Sequence, residues 1–221
     1  MSTLLLMKLF EATPSRYDKG ISLLTGGQLD NLYDRLIEHI KEGDRVLDIG
    51  CGTGALTLRA AKKGAGVKAI DINPGMLDVA RAKTEAAHLS QNIDFGEMGV
   101  AELGNETDQT FDVVMSGLCL SELTEPELRY TLNEVNRILK PGGLFLVVDE
   151  VRPRSFVRRL LLGFFRSIFK LFVYMVSGTT TRALKNFPSK IEGVGFNIVS
   201  CELNKSQNLL KLAARKNRDR S

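Results

Sequence analysis

Two kinds of hydrophobic pattern alternate along the chain. Short apolar runs at Val46–Ile49, Val67–Ile70, Asn92–Phe95, Phe111–Met115 and Leu144–Val148 predict buried strands. Between and before them apolar residues recur every three or four positions. Leu29, Leu32, Leu36, Ile37 and Ile40 predict a packing helix over Leu29–Ile40, and further helices are expected over Ala55–Lys63, from Pro74 to about Leu89, and over Glu125–Leu139. Pro141-Gly142-Gly143 reads as a turn into the fifth strand, and Asn197–Leu203 and Asn208–Ala213 as two short strands joined by polar residues. Strands alternating with helices predict an α/β domain built on an open, largely parallel sheet, in which ligands bind beyond the carboxyl ends of the strands.

The first strand runs straight into Gly50-Cys51-Gly52-Thr53-Gly54 and then into a helix. Such glycines let the backbone turn sharply and keep side chains away from a ligand, so the first N–H groups of the helix can reach a polar group. Asp71 ends the second strand, and its carboxylate can accept two hydrogen bonds from a ribose diol. Gly50-x-Gly52-x-x-Ala55 also satisfies the dinucleotide fingerprint. Asp48, two residues before the first glycine, would repel a pyrophosphate but suits a ligand with an ammonium group. That acid, the further glycine at 54 and the lack of a downstream nicotinamide feature favour S-adenosylmethionine.

Four blocks carry a resemblance: VLDIGCGTGAL from Val46, AIDINPGML at 69–77, FDVVMSGLCLSEL at 111–123 and LKPGG at 139–143. In order and spacing, 46–143 resembles a class I S-adenosylmethionine-dependent methyltransferase. The resemblance implies a doubly wound, Rossmann-like sheet of seven strands, the last antiparallel, closed by a hairpin. It implies that Asp48, Gly50, Cys51, Gly52, Thr53 and Gly54 form the methionyl cradle, that Asp71 binds the ribose, and that Ile72 and Met76 pack on the adenine. Ser116, expected just past the fourth strand, would sit near the methionyl amine. Relatives commonly place an Asp after the third strand to read the adenine amino group, whereas this chain has Gly99-Val100-Ala101. Glu97, Glu102 and the backbone at Val100 and Ala101 are the candidates. Tyr17, in an aromatic-Asp pair with Asp18, is a candidate lid contact or an ordinary helix-start residue.

On this reading 1–221 is one domain. Residues 1–42 form an N-terminal helical lid segment, 43–150 the cofactor-binding core, 151–192 a substrate-covering insertion, and 193–221 the closing hairpin and basic tail. With 221 residues and 43% apolar content the chain can bury a single sizeable core. Cys51, Cys119 and Cys201 are far apart in sequence and form no CxxC pair, which argues against a disulfide framework or a metal site and fits a reducing cytoplasm. MSTLLLMKLF lacks the cleavage site of a signal peptide.

Charge changes the picture. Residues 1–150 carry 15 Lys+Arg against 23 Asp+Glu, residues 151–221 carry 15 against 3. The basic last third predicts contact with phosphates, anionic lipid or acidic ligands, or else a solvated face. Within it, 156–176 holds fifteen large apolar residues of twenty-one, interrupted by Arg158, Arg159, Arg166 and Lys170. On a helical wheel Arg159, Arg166 and Lys170 fall within about 40° of each other. Four cations make this a poor membrane span, and its apolar face needs a cover: the domain itself, a partner, lipid or a lipophilic substrate. The segment is loosely similar in placement to the substrate-covering part of ubiquinone/menaquinone-biosynthesis C-methyltransferases.

The expected activity is therefore methyl transfer to a hydrophobic small-molecule acceptor, lipid- or quinone-like, at or near an anionic membrane surface. The rivals are RNA methylation by the basic third, and a non-catalytic module that binds S-adenosylmethionine or docks a partner. Aromatic residues confined to an apolar helix are unlike an exposed stacking surface, which counts against nucleic acid. Asp149, Glu150 and Glu122 are the candidate bases, while His39 and His88 are read as surface or packing residues.

Overall fold

The computed structural model describes residues 14–151 and 183–218. The described chain begins with helices α1 (Pro14–Thr25) and α2 (Gln28–Leu36). Strands β1 (Arg45–Ile49), β2 (Gly66–Asp71), β3 (Ile93–Glu97), β4 (Phe111–Gly117) and β5 (Leu139–Glu150) follow. Helices α3 (Ala55–Lys62), α4 (Pro74–Ala86) and α5 (Glu125–Ile138) are interleaved with them. Helix α6 (Phe187–Gly193) leads into the hairpin β6 (Phe196–Leu203) and β7 (Leu209–Lys216).

Capping residues set several of these boundaries. Asn73 accepts hydrogen bonds from Gly75 N and Met76 N with Pro74 in the first turn of α4, and Thr124 and Glu127 form a reciprocal capping box before α5.

The seven strands form one sheet in the order β3-β2-β1-β4-β5-β7-β6. The first five are mutually parallel, and β7 runs antiparallel to both β5 and β6, as the sequence pattern and its resemblance predict. The order reverses between β1 and β4, so their carboxyl ends flank a switch point where the crevice of such a sheet lies. One core, with Leu32, Leu36, Leu56, Ala60 and Leu77, packs α2, α3 and α4 on one face. On the other face Leu128, Leu132 and Val135 of α5 join Phe187 and Ile191 of α6. Because both faces are covered, β1 and β4 read as continuous apolar runs rather than alternations.

Four strands differ from the sequence expectation by two residues or more, β3 by running on through Gly96 and Glu97. Strand β4 continues through Ser116 and Gly117, and β5 starts at Leu139 and runs through the expected glycine turn. There the register shifts between Phe111 and Val113 and Gly142 takes φ 77°. β5 also extends to Glu150, so Asp149 and Glu150 lie inside a strand instead of beyond it. Strand β7 is longer than expected because it is flanked by β5 and β6.

Val151 forms a parallel bridge with Leu184, and Leu184 N donates to Glu150 O at 3.0 Å. Val151 and Leu184 are thus held together at the carboxyl end of β5. The expected apolar helix at 156–176 and its basic stripe lie outside the described residues.

Part of the last third's positive charge is buried or paired. Lys216 is buried and donates to Leu139 O at 2.9 Å, Lys211 is buried 3.2 Å from Glu202, and Lys190 pairs with Glu125.

Candidate active site

A cleft of about 760 Å³ opens at the switch point. Gly50, Cys51, Gly52 and Thr53 form one wall, Gly117 and Leu118 a second, and side chains of α1 and α2 a third.

The glycine turn is held by its own backbone and by Asp71. Gly50 N and Cys51 N both donate to Ile70 O at 2.9 Å. Asp71 accepts from Gly52 N and Asn73 N, each at 2.8 Å. Burial raises the Asp71 pKa, and the N–H groups of Asn73 and Gly52 pull it back down.

Glycine is required at 50 and 52 for different reasons. Gly50 has φ 67°, and a Cβ there would stand 2.4 Å from Cys119 Sγ. Gly52 has φ 53° and open space where a Cβ would be, so its backbone faces the cleft uncovered. Gly54 does something else: its missing Cβ faces Ala80 at 3.2 Å, which lets α3 pack closely on α4.

Asp48 lies beneath the turn and is only 1% exposed. Its Oδ2 accepts the Thr57 hydroxyl at 2.6 Å, and its Oδ1 has no hydrogen bond among the described residues. Burial pushes the carboxyl up to about 7, against the opposing Thr57 bond. A folded-state pKa above the unfolded value means that the stability held at low pH is lost as pH rises through about 7. Thr57→Val removes the side-chain donor that favours the charged form and leaves the Thr57 backbone N–H. It should cost about 1–3 kcal/mol at pH 8 and clearly less at pH 5, where the acid is neutral. Denaturant melts of both proteins at the two pH values check this.

The other predicted residues divide. Met76 is buried in the first turn of α4, and Ile72 is 73% exposed beside Gly99. Val100 and Ala101 open a short helical turn, Val100–Asn105, and Glu102 spends its carboxylate on Gly99 N at 3.1 Å. Ser116 departs from expectation because β4 runs through it: it is fully buried, and its hydroxyl donates to Ile49 O at 3.0 Å. Tyr17 falls in α1, with its side chain outside the described residues.

The candidate bases also change character. Asp149 is fully buried and accepts from Ser121 N at 3.1 Å and Glu150 N at 2.6 Å. Burial pushes its carboxyl up to about 7, while those N–H groups oppose the shift. It straps the turn Leu120–Glu122 to β5, and does not line the cleft. Glu150 is likewise buried, and Glu122 is half-buried in that turn. His88 is exposed, His39 half-buried, and neither lines the cleft. Burial pushes the Cys51 and Cys119 thiols up, so both stay protonated near neutral pH and neither acts as a nucleophile.

The sequence reading named Asp18 only as the neighbour of Tyr17, and it missed Lys83, Tyr33 and Gly117 as contributors to the cleft. Asp18 accepts the Thr53 hydroxyl at 2.5 Å and pairs with Lys83, which also donates to Thr53 O at 3.0 Å. These contacts tie α1 across the glycine turn to α4. Tyr33 was hidden in the apolar periodicity of α2. Gly117 could have been noticed as a glycine at the end of a binding-edge strand.

A methyltransferase-domain family profile matches residues 46–143. A demethylmenaquinone methyltransferase of Chlorobaculum parvum is 34% identical over 194 residues, which cover 83% of this chain and 76% of that protein. One of Symbiobacterium thermophilum is 32% identical over 168 residues, covering 72% of this chain. That match spans 63% of the relative's length, less than two thirds. Among solved structures, an S-adenosylmethionine-dependent methyltransferase of Methanosarcina mazei superposes with a TM-score of 0.65 at 22% identity, over 84% of this chain and 98% of that one, a likeness of fold. With its glycine turn, the acid closing β2 and the reversal of the sheet between β1 and β4, the chain belongs to the class I S-adenosylmethionine-dependent methyltransferases.

Proposed function

We propose that the protein transfers the methyl group of S-adenosylmethionine to a lipophilic, quinone-like acceptor. The observation that carries the acceptor class is the match to proteins named demethylmenaquinone methyltransferase across 83% of the chain. Two features of the chain support it. The sequence places the apolar stretch 156–176 between Val151 and Leu184, two residues that bridge at the carboxyl end of β5, on the cleft's edge of the sheet. Burial of Lys211 and Lys216 withholds two of the last third's cations from an RNA-tracking surface.

The residues present fit the cofactor. Gly52 leaves its backbone open to the cleft, Asp71 has lone pairs beyond those used by Gly52 and Asn73, and Ile72 offers a solvent-facing apolar surface. In this reading the turn Gly50–Thr53 holds the methionyl arm, Asp71 takes the ribose diol, and Ile72 packs on the adenine with Met76 beneath. The N–H groups of Val100 and Ala101, which open a helical turn and so lack partners within it, meet the adenine edge. When bound, the cofactor supplies a methyl group already activated on a sulfonium. What remains for the chain is to orient the acceptor and exclude water. Asp48, buried with its carboxyl near neutral pKa, favours the cationic end of the cofactor from below.

Methyl transfer from radiolabelled cofactor should appear on a reduced demethylmenaquinone analogue carried in anionic vesicles, and less on the same analogue in neutral vesicles. Flotation with those vesicles should be lost in high salt and in a variant with Arg159, Arg166 and Lys170 changed to glutamine. Turnover on a water-soluble acceptor or RNA, with none on the vesicle-borne quinol, would overturn the acceptor assignment.

A further inference from the structure

Tyr33 carries a hydroxyl that has no hydrogen-bond partner among the described residues. It is 5% exposed in α2, among Leu29, Leu32 and Leu36. The Arg59 guanidinium lies 5.7 Å from its ring centroid, itself anchored by Asp30 at 2.8 Å and Asp34 at 2.7 Å. The ring is thereby clamped on one side and its hydroxyl is driven toward the end of β4. A Cβ on Gly117 would stand 2.5 Å from the Tyr33 oxygen and 2.9 Å from Cζ, so the phenol reaches that place only because residue 117 has no side chain.

At that point the hydroxyl makes no hydrogen bond among the described residues, yet Tyr33 lines the cleft together with Gly50–Thr53 and Gly117. Buried tyrosine hydroxyls ordinarily have a partner, and leaving one unpaired is costly. Because Tyr33 lines the cleft, a ligand entering there can supply that partner. Burial and the nearby Asp48 and Asp149 carboxyls push the Tyr33 pKa up, which keeps the phenol a neutral hydrogen-bond donor. A donor needs an acceptor oxygen. The methionyl arm carries an anionic one, its α-carboxylate, and would be laid between the glycine turn and the end of β4. Lys19, Arg59, Lys62, Lys63 and Lys83 outnumber Asp18, Asp30 and Asp34 along the same cleft, which leaves its lining net positive for that anion.

Building on the cofactor assignment above, we propose that Tyr33 donates its hydroxyl hydrogen to the amino-acid carboxylate of S-adenosylmethionine and so positions the methionyl arm. Tyr33 is then a positioning residue of the cofactor site. Its hydroxyl contributes to ligand binding and little to the fold.

The test is Tyr33→Phe, titrated calorimetrically with S-adenosylhomocysteine and with 5′-methylthioadenosine, which keeps the nucleoside but lacks the amino-acid end. S-adenosylhomocysteine should bind the variant about 10- to 100-fold more weakly, the scale of one hydrogen bond to a charged group. Methylthioadenosine should bind both proteins alike, and the ligand-free Tm should stay within about 2 °C of the parent. Equal weakening of both ligands would assign Tyr33 a merely structural role and overturn the proposal. Unchanged S-adenosylhomocysteine affinity would overturn it as well, including the case in which only the KM of the methyl acceptor rises. Failure of the parent protein to bind either nucleoside would instead overturn the cofactor site on which the proposal rests.

Discussion

Gly50→Ala is expected to lose both stability and turnover. Alanine at φ 67° pays about 1–2 kcal/mol for a left-handed conformation. The new methyl also arrives 2.4 Å from Cys119 Sγ and 2.5 Å from Cys119 Cβ. Cys119 cannot simply retreat, because the turn that follows it is strapped to β5 through Ser121 N and the buried Asp149. Overpacking of this kind costs about 1–3 kcal/mol. Together the terms predict a loss of about 2–5 kcal/mol, or about 5–15 °C in Tm for a chain of this size. Relief of the clash by moving Gly50 would break the paired donation of Gly50 N and Cys51 N to Ile70 O, which sets the shape of the turn. Turnover should then fall about 100-fold, the penalty of a displacement near 1 Å. Thermal melts and methyl-transfer rates of the variant check both numbers. The double variant Gly50→Ala, Cys119→Gly separates the causes: it removes the collision and retains the backbone strain, so it should recover part of the Tm.

Asp71→Ala is expected to weaken S-adenosylhomocysteine binding about 100- to 10,000-fold. In the proposed site its carboxylate accepts two hydrogen bonds from the ribose, each worth about 1.5–3 kcal/mol to a charged acceptor. The same carboxylate accepts Gly52 N and Asn73 N at 2.8 Å, so its removal also frees the middle of the glycine turn. Asp71→Asn should fall between the two, since one amide oxygen survives while the amide NH2 faces a backbone N–H that needs an acceptor. Isothermal titration with the three proteins tests the order. Parent-like affinity of Asp71→Ala would remove Asp71 from the ribose site.

Much of the fold was legible before the structure because local pattern and sheet topology agree. The run at Val46–Ile49 is buried on both faces, and that at Val67–Ile70 is buried except at the half-exposed Lys68, which is what strands covered by helices on two sides require. Gly50-x-Gly52 and Asp71 could be placed at the binding edge because both follow strands directly, and in a parallel sheet that position is fixed by connectivity. Strand ends were less legible. β4 and β5 extend past their apolar runs because neighbouring strands supply ladder partners for Ser116, Gly117, Asp149 and Glu150, polar or small residues that carry no strand signal of their own. Ser116 and the candidate bases were therefore expected in the wrong surroundings. Pairing draws Ser116, Asp149 and Glu150 into the sheet, where the Ser116 hydroxyl and the Asp149 carboxyl meet backbone groups.

By itself, the sequence determined the order of elements, the glycine turn, the acid at the end of β2 and hence the cofactor family, because each depends on residues close together in the chain. Only the tertiary structure decided which polar groups face the cleft. Asp48 was sunk beneath the turn and bonded to Thr57, nine residues away. Asp18 was brought to Thr53 and Lys83 across 35 and 65 positions, and the Tyr33 hydroxyl was set against Gly117. Such juxtapositions follow from how α1 and α2 pack over the sheet. Packing is a property of complementary surfaces, which one-dimensional periodicity encodes as an apolar face without saying what that face will touch.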